Sequence, residues 1–159
     1  MKNRVDKMKL DEFDYKIIRL LIQDARQTHL EISDKIGLSP SPCARRIRKL
    51  EDAGLITGYT AKIDESMLGF DFTVFVSIKL DRQIDENLVD FEKNILRYPE
   101  VLDCWLMTGT YDYLLRVAVR DLNEFEHFLT GRLTKVSGVA SIESSIPIRQ
   151  VKSAAARIN

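Results

Sequence analysis

Four of the five residues from Arg45 to Lys49 are cationic: Arg45, Arg46, Arg48 and Lys49, with no acid between Asp34 and Glu51. A guanidinium offers a planar fork of donors that matches paired oxygen acceptors, so the chemistry this cluster can do is anion recognition. A second candidate lies at "TGTYD", residues 108–112. A turn at Gly109 can expose successive backbone N–H groups to a carboxylate, and Asp112 can hold an ammonium group. A plain β-turn with a capping aspartate accounts for the same letters, and both readings stay open on the residues alone. Little else is reactive. His29 and His127 are the only histidines, and G-x-S-x-G, H-E-x-x-H and a phosphate-cradling glycine loop are all missing from the sequence. Surface positions explain both histidines, so an enzyme is the weaker reading. Cys43 and Cys104 match no zinc or haem spacing. Each sits in an apolar pattern and is expected as a buried, reduced thiol. No metal or cofactor is expected.

With 159 residues, 45% apolar and 30% charged, the chain has an ordinary globular balance and room for one domain or two small ones. Apolar runs are only a few residues long, too short to span a membrane. The opening residues, Met-Lys-Asn-Arg-Val-Asp-Lys-Met-Lys, are too polar for a signal-peptide core, so a cytoplasmic location is expected. The zero net charge conceals a split. Residues 1–63 hold 13 Lys and Arg against 9 Asp and Glu, a net +4, and the remainder holds 11 against 15, a net −4. Such a division suggests two modules, the basic one facing a polyanion.

The elements that position the cationic cluster are helical. Phe13, Ile17, Leu20 and Leu21 share one face of a helix over residues 11–24, with Asp11 as its cap. Thr28 and Glu31, three apart, form a capping box for a second helix with Ile32 and Ile36 inward and Gly37 at its end. Ser39 as N-cap and Pro40 at the first helical position start a third. At about 100° per residue, Cys43, Ile47, Leu50 and Gly54 fall on one side of that helix. Ser41, Arg45, Arg48 and Lys49 fall on the other, with Arg46 on the flank. Two helices joined by a tight glycine turn make a helix-turn-helix, and an acid-free cationic face on the second of them predicts DNA recognition. "GLITGYTAKI" is expected as the strand or wing that closes this domain.

From Phe72 the period changes to two, with Phe72, Val74, Val76, Ile78 and Leu80 on one face. A helix over 86–97 (Leu88, Phe91 and Ile95 inward), strands at "VLDCWLMT" and "DYLLRVAV", a helix over 122–136 and a strand at "VASIESSI" complete a βαββαβ order. The helices cover one sheet face. The other, carrying Phe75 and Trp105 or their neighbours, calls for a cover of its own, and a homodimer packed sheet to sheet supplies one. The same order occurs in RNA-recognition domains, which is the alternative function. "DYLLRVAV" lacks their glycine- and aromatic-rich third-strand motif, and the basic charge lies in the other half.

"LSPSPCARRIRKLEDAGLITGYTAKID" followed by "GTYDYLL" closely resembles the Lrp/AsnC (leucine-responsive/asparagine-responsive, feast/famine) family of bacterial and archaeal transcription regulators, over about residues 10–152. The resemblance implies an α+β chain. Its expected parts are a flexible segment 1–10, a winged helix-turn-helix over 11–64, a linker 65–71 and a ferredoxin-like sensing and oligomerisation domain over 72–159. It implies sequence-specific binding of double-stranded DNA, with contacts expected from Thr28, Ser39, Ser41, Pro42, Arg45, Arg46, Arg48 and Lys49. It also implies a homodimer assembling to an octamer, and a small effector, an amino acid, bound between sensing domains. The family's glycine-x-aromatic-aspartate loop matches Gly109, Tyr111 and Asp112, with Thr110 at the variable position. The neighbouring strand end matches Leu106, Met107 and Thr108, and the last strand contributes Ser144, Ser145 and Ile146. Leu106, Leu122 and Ile146 are expected to meet the effector's side chain.

Overall fold

The computed structural model describes residues 9–81, 85–153 and 156, with residues 85–87 by their backbone alone. The segment expected to be flexible, 1–10, lies outside the described residues except for Lys9 and Leu10. The chain divides into two compact units, one running to Lys62 and including the residues from Lys152 on, the other spanning Ile63–Val151.

The first unit holds three helices, α1 (Glu12–Gln23), α2 (His29–Ile36) and α3 (Pro40–Asp52). α1 starts with a reciprocal pair: the Asp14 N–H donates to Asp11 Oδ1 at 3.0 Å, and the Asp11 N–H donates to Asp14 Oδ2 at 3.1 Å. α2 starts the same way, with the Thr28 N–H on Glu31 Oε2 at 2.7 Å and the Glu31 N–H on Thr28 Oγ1 at 3.2 Å. Two of the otherwise orphaned N–H groups at each helix start are thereby satisfied. α2 ends at Gly37, whose φ of +73° is the left-handed conformation an L side chain enters at a cost. Ser39 occupies the N-cap of α3, yet its side chain makes no capping bond, contrary to expectation. Pro42 stands at the third helical position and removes one of the two N–H groups that an N-cap oxygen can accept, leaving that of Ser41. Ile17, Ile32, Ile36, Cys43, Ile47 and Leu50 form the buried core, with Phe13, Leu20, Leu21 and Ile56 packed around it. Burying side chains of this size is worth about 1.5–3 kcal/mol each, so packing outweighs capping in holding the three helices.

Of the strand or wing expected at residues 54–63, no strand forms, and the first unit has none among its described residues. A strand needs a neighbour for its N–H and C=O groups, and the described residues of this unit offer none. The segment is pinned instead by Ile56 on the core and by the Tyr59 hydroxyl donating to Glu51 at 2.7 Å.

The second unit is a four-stranded antiparallel sheet of β1 (Phe72–Leu80), β2 (Val101–Leu106), β3 (Tyr113–Val119) and β4 (Val139–Ser145), in the order β2-β3-β1-β4. Its helices are α4 (Asp85–Ile95) and α5 (Leu122–Gly131). Alternate strand residues Val74, Val76, Ile78, Leu80, Tyr113, Leu115, Val117 and Val119 are buried with Phe91 and Ile95 of α4 and Phe125 and Phe128 of α5. Both helices therefore cover one face. The helix expected over 122–136 is broken: Arg132 leaves helical geometry after Gly131, and a 3-10 turn at Leu133–Lys135 drives Leu133 into the core.

The register defines the helix-free face. One cross-strand row is Trp105, Leu114, Ser77 and Glu143; the next is Asp103, Arg116, Phe75 and Ser145. Arg116 is clamped at its centre, donating to Asp103 at 2.6 Å and to Glu65 at 3.2 Å. Cys43 is buried as expected, but Cys104 is exposed. β2 is an edge strand, and its outer row is left uncovered. Desolvation, with help from Glu92, still pushes the Cys104 thiol up to about 11, so it is protonated at neutral pH.

Candidate DNA interface and effector loop

The burial of α3 follows its angular pattern. Cys43, Ile47 and Leu50 are buried, while Ser41, Arg45, Arg48 and Lys49 are exposed. No acid occupies the first turn of the helix. Among the described residues, Arg45, Arg48 and Lys49 have no acidic partner, so their charge is available to a ligand. Ser39 is exposed beside them and Pro42 is half-buried.

Arg46 stands apart from this face. Its Nη1 lies 2.8 Å from Asp14 Oδ1 and 2.8 Å from Asp11 Oδ2, and its guanidinium sits over the Phe13 ring at 5.5 Å. Asp14 is 4% exposed, a buried carboxylate that needs a counter-ion. Arg46 therefore ties α3 to the start of α1, and these hydrogen bonds, foremost the one it donates to Asp14, raise its pKa further. Thr28 is likewise occupied, its hydroxyl donating to Glu31 Oε2 at 2.9 Å while capping α2.

The second candidate is the loop between β2 and β3. Met107, Thr108, Gly109 and Thr110 are exposed, and Tyr111 is half-buried. Gly109 has φ +122°. Its ends are fastened to the sheet: the Met107 N–H donates to the Asp112 carbonyl and the Asp112 N–H to the Ile78 carbonyl, both at 2.8 Å. Between them, the N–H groups of Thr108, Gly109, Thr110 and Tyr111 meet no acceptor among the described residues. Four successive free donors in an exposed loop are suited to an anion.

Asp112 is not on the exposed side of that loop. It is 3% exposed, and its Oδ2 accepts the Leu80 N–H at 2.7 Å. Its carboxylate locks the start of β3 to the end of β1. An exposed acid that sequence reasoning missed, Glu143, meets the loop by accepting the Tyr111 hydroxyl. That bond raises the Tyr111 pKa. Glu143 carries no signal of its own in "VASIESSI"; only the strand register brings it to Tyr111.

The other expected effector residues are dispersed. Leu106 adjoins the loop but belongs to the row of Tyr113, Ile78 and Ile142, on the helix-covered side. Ser144 and Ser145 pair with Val76 and Phe75, further from the loop than Glu143, and Ile146 lies beyond them. Leu122 begins α5 after the far end of β3, roughly 20 Å from the loop at the rise of a seven-residue strand. Leu106, Leu122 and Ile146 are all more than half exposed. Within one chain these three do not form a single pocket.

Two family models match the chain: a winged helix-turn-helix DNA-binding model over residues 10–57 and the Lrp/AsnC ligand binding domain over residues 73–156. The Bkd operon transcriptional regulator of Pseudomonas aeruginosa is 43% identical over 142 residues, covering 89% of this chain and 93% of its own. The leucine-responsive regulatory protein of Rhizobium meliloti is 39% identical over 150 residues, covering 94% and 96%. Among solved structures, a transcriptional regulator of Neisseria meningitidis in complex with L-Met matches with a TM-score of 0.88 at 35% identity, covering 92% of this chain and 95% of its own. An AsnC family regulator of Agrobacterium tumefaciens matches with a TM-score of 0.87 at 33% identity, covering 94% and 97%. A helix-turn-helix with an uncompensated cationic helix face, joined to a βαββαβ unit that these regulators share from end to end, makes this chain a DNA-binding transcriptional regulator of the Lrp/AsnC family.

Proposed function

We propose that α3 enters the major groove of duplex DNA, with Arg45 reading base edges and Arg48 and Lys49 holding phosphates beside Ser39 and Ser41. The observation that carries this reading is the exposed face of α3, on which Arg45, Arg48 and Lys49 have no acidic partner among the described residues. Arginine forks match guanine acceptors in the major groove. Arg46, held by Asp11 and Asp14, supports the helix rather than the DNA. The RNA-binding alternative finds little footing. On the helix-free face the central strands β1 and β3 present Phe75 as their sole aromatic, among Thr73, Ser77, Leu114, Arg116 and Ala118, too few for a stacking platform.

The effector in this reading is an amino acid. Its carboxylate sits on the free N–H groups from Thr108 to Tyr111, and its ammonium faces Glu143 rather than the buried Asp112. The Neisseria meningitidis relative, solved with L-Met, supports an amino acid as the class of ligand. The chain works in the cytoplasm as a homodimer, and dimers assemble to octamers with the effector between sensing domains. Sidechain specificity then falls to Leu106, Leu122 and Ile146 brought together from neighbouring subunits.

The test is footprinting on the DNA upstream of its own gene and its neighbours, with and without a panel of amino acids. Arg45→Ala is expected to weaken specific binding by about 1–3 kcal/mol and to relax sequence preference. Undiminished, equally selective binding by that variant would remove Arg45 from the readout. A footprint unchanged by every amino acid at millimolar concentration would mean regulation without such an effector.

A further inference from the structure

The recess between the start of α1 and the solvent side of α3 has a volume of about 310 Å³ and is lined by Lys9, Asp11, Asp14, Arg45, Arg46 and Lys49. Four cations and two acids look balanced, but the hydrogen bonds divide them unequally. Asp11 Oδ1 accepts the Asp14 N–H and Asp14 Oδ2 accepts the Asp11 N–H. Asp11 Oδ2 and Asp14 Oδ1 both meet Arg46. All four carboxylate oxygens are thus engaged by Arg46 and by the helix cap. Lys9, Arg45 and Lys49 line the same recess and have no acidic partner among the described residues. Three cations without an ion-pair partner among the described residues line one concave surface whose six charged side chains sum to +2. Arg45 and Lys49 also belong to the exposed face of α3, so the recess continues that face sideways, past the helix edge, to the residue that leads into α1.

We propose that this recess is a backbone-phosphate site for duplex DNA, in which Lys9 reaches a phosphate flanking the groove that α3 occupies. The proposal rests on the DNA-binding reading above and adds a contact outside the helix-turn-helix. A phosphodiester suits the site because it brings diffuse negative charge to three separate donors, and a contact of this kind anchors the protein without reading sequence. Asp11 and Asp14 keep one negative charge between them after pairing with Arg46, but their oxygens are turned to Arg46 and to the helix cap, and Lys9, Arg45 and Lys49 outweigh it to leave the recess at a net +2.

Lys9→Ala in the full chain tests this by titration against the operator and against unrelated duplex DNA, over a series of salt concentrations. Each phosphate neutralised contributes about 0.9 to the slope of log K against log salt. The variant is therefore expected to lose about 0.9 from that slope on both DNAs, and roughly four- to eightfold in affinity at 0.2 to 0.1 M salt. Lys9→Arg should retain both. Lys9 lies outside the helices and is exposed, so a thermal melt of Lys9→Ala should match wild type. Arg48→Ala in the same titrations separates the two levels. If Arg48→Ala weakens binding while Lys9→Ala leaves affinity and slope unchanged, the recess is not a phosphate site and the DNA-binding reading survives. If neither variant changes binding, the reading of α3 falls with it. A loss confined to the operator would identify a base contact and overturn the proposal.

Discussion

At the scale of single residues, the cationic cluster divides by partner. Arg46 and Arg48 are two residues apart, yet one is committed to a buried carboxylate and the other is exposed and makes no ion pair among the described residues. Arg46→Ala is expected to cost about 1–3 kcal/mol of stability, because Asp14 Oδ1 is left buried without its donor. Arg48→Ala should leave stability within about 0.5 kcal/mol of wild type and weaken DNA binding instead. Chemical denaturation paired with DNA titration checks both, and equal stability of the two variants would show that the Arg46 contacts hold nothing. Asp112 follows the same logic. Asp112→Ala strips the acceptor from the buried Leu80 N–H and should cost about 1–3 kcal/mol, whereas Glu143→Gln should leave stability alone and lower effector affinity in calorimetry. Residue types and spacing made the exposed side of α3 legible, since an angle of about 100° per residue separates core from surface. The same rule could only place Arg46 on the flank. Its commitment to Asp14, like that of Tyr111 to Glu143, is made across 32 residues of chain by tertiary packing that no local period encodes.

At the scale of elements, what could be read in advance was whatever is written locally. The capping boxes of α1 and α2, the left-handed turn at Gly37 and the alternation of β1 each depend on residues within a few positions of one another. The departures arise where a neighbour decides. Residues 54–63 have strand-like composition but no strand beside them among the described residues of the first unit, and the helix after Leu122 ends early because Leu133 is drawn into the core. Cys104 has an apolar pattern but sits on an edge strand. The caps make a prediction of their own. Thr28→Ala removes the acceptor of the Glu31 N–H and should destabilise the first unit by about 1 kcal/mol. They also set an acid limit. The Thr28 N–H holds the Glu31 carboxyl below its ordinary 4.5, the Asp14 N–H holds Asp11 below 3.8, and Lys16 holds Glu12 below 4.5. A carboxyl whose native pKa is depressed stabilises the fold above its ordinary value, and that contribution is lost as pH falls through the native value. Stability should therefore stay level in these groups from pH 7 to about 5 and decline below the ordinary carboxylate range. Replacing Glu31 by Gln should flatten part of the decline in a series of melts. An acid limb of the same steepness in that variant would remove Glu31 from the account.

At the scale of the whole molecule, the two compact units differ in charge: residues 1–62 with 152–159 hold 15 Lys and Arg against 9 Asp and Glu, a net +6, and residues 63–151 hold 9 against 15, a net −6, so the positive charge lies on the unit that carries the helix-turn-helix. The helix-free sheet face bears Phe75, Leu114 and Trp105, and Trp105 alone leaves 44% of itself exposed on an edge strand. At the end of the same face away from the loop lies a recess of about 580 Å³ lined by Leu68, Phe70, Leu102 and Ala118. Exposed apolar side chains grouped on a sheet face, here on both sides of the Arg116 ion pairs, mark an interface. In the homodimer proposed above, a second copy of the chain covers this face, and two copies of α3 then meet two half-sites at a fixed spacing. Arg116 and its two acids stand in the middle of that face, so self-association must bury a charge cluster already paired within one chain, which lowers the penalty of taking it out of water. Trp105→Glu in the full chain places an unpaired charge on this surface without touching the helix-side core. The variant is expected to keep the wild-type melting behaviour at low protein concentration and to sediment as a monomer at tens of micromolar, where wild type is a dimer or larger. DNA affinity should fall by about a hundredfold or more with it, because the second half-site is no longer tethered to the first and the gain in effective concentration is gone. A Trp105→Glu protein that sediments as wild type does would assign assembly to another surface. A monomeric variant with undiminished DNA affinity would break the link between the sheet face and the recognition helices.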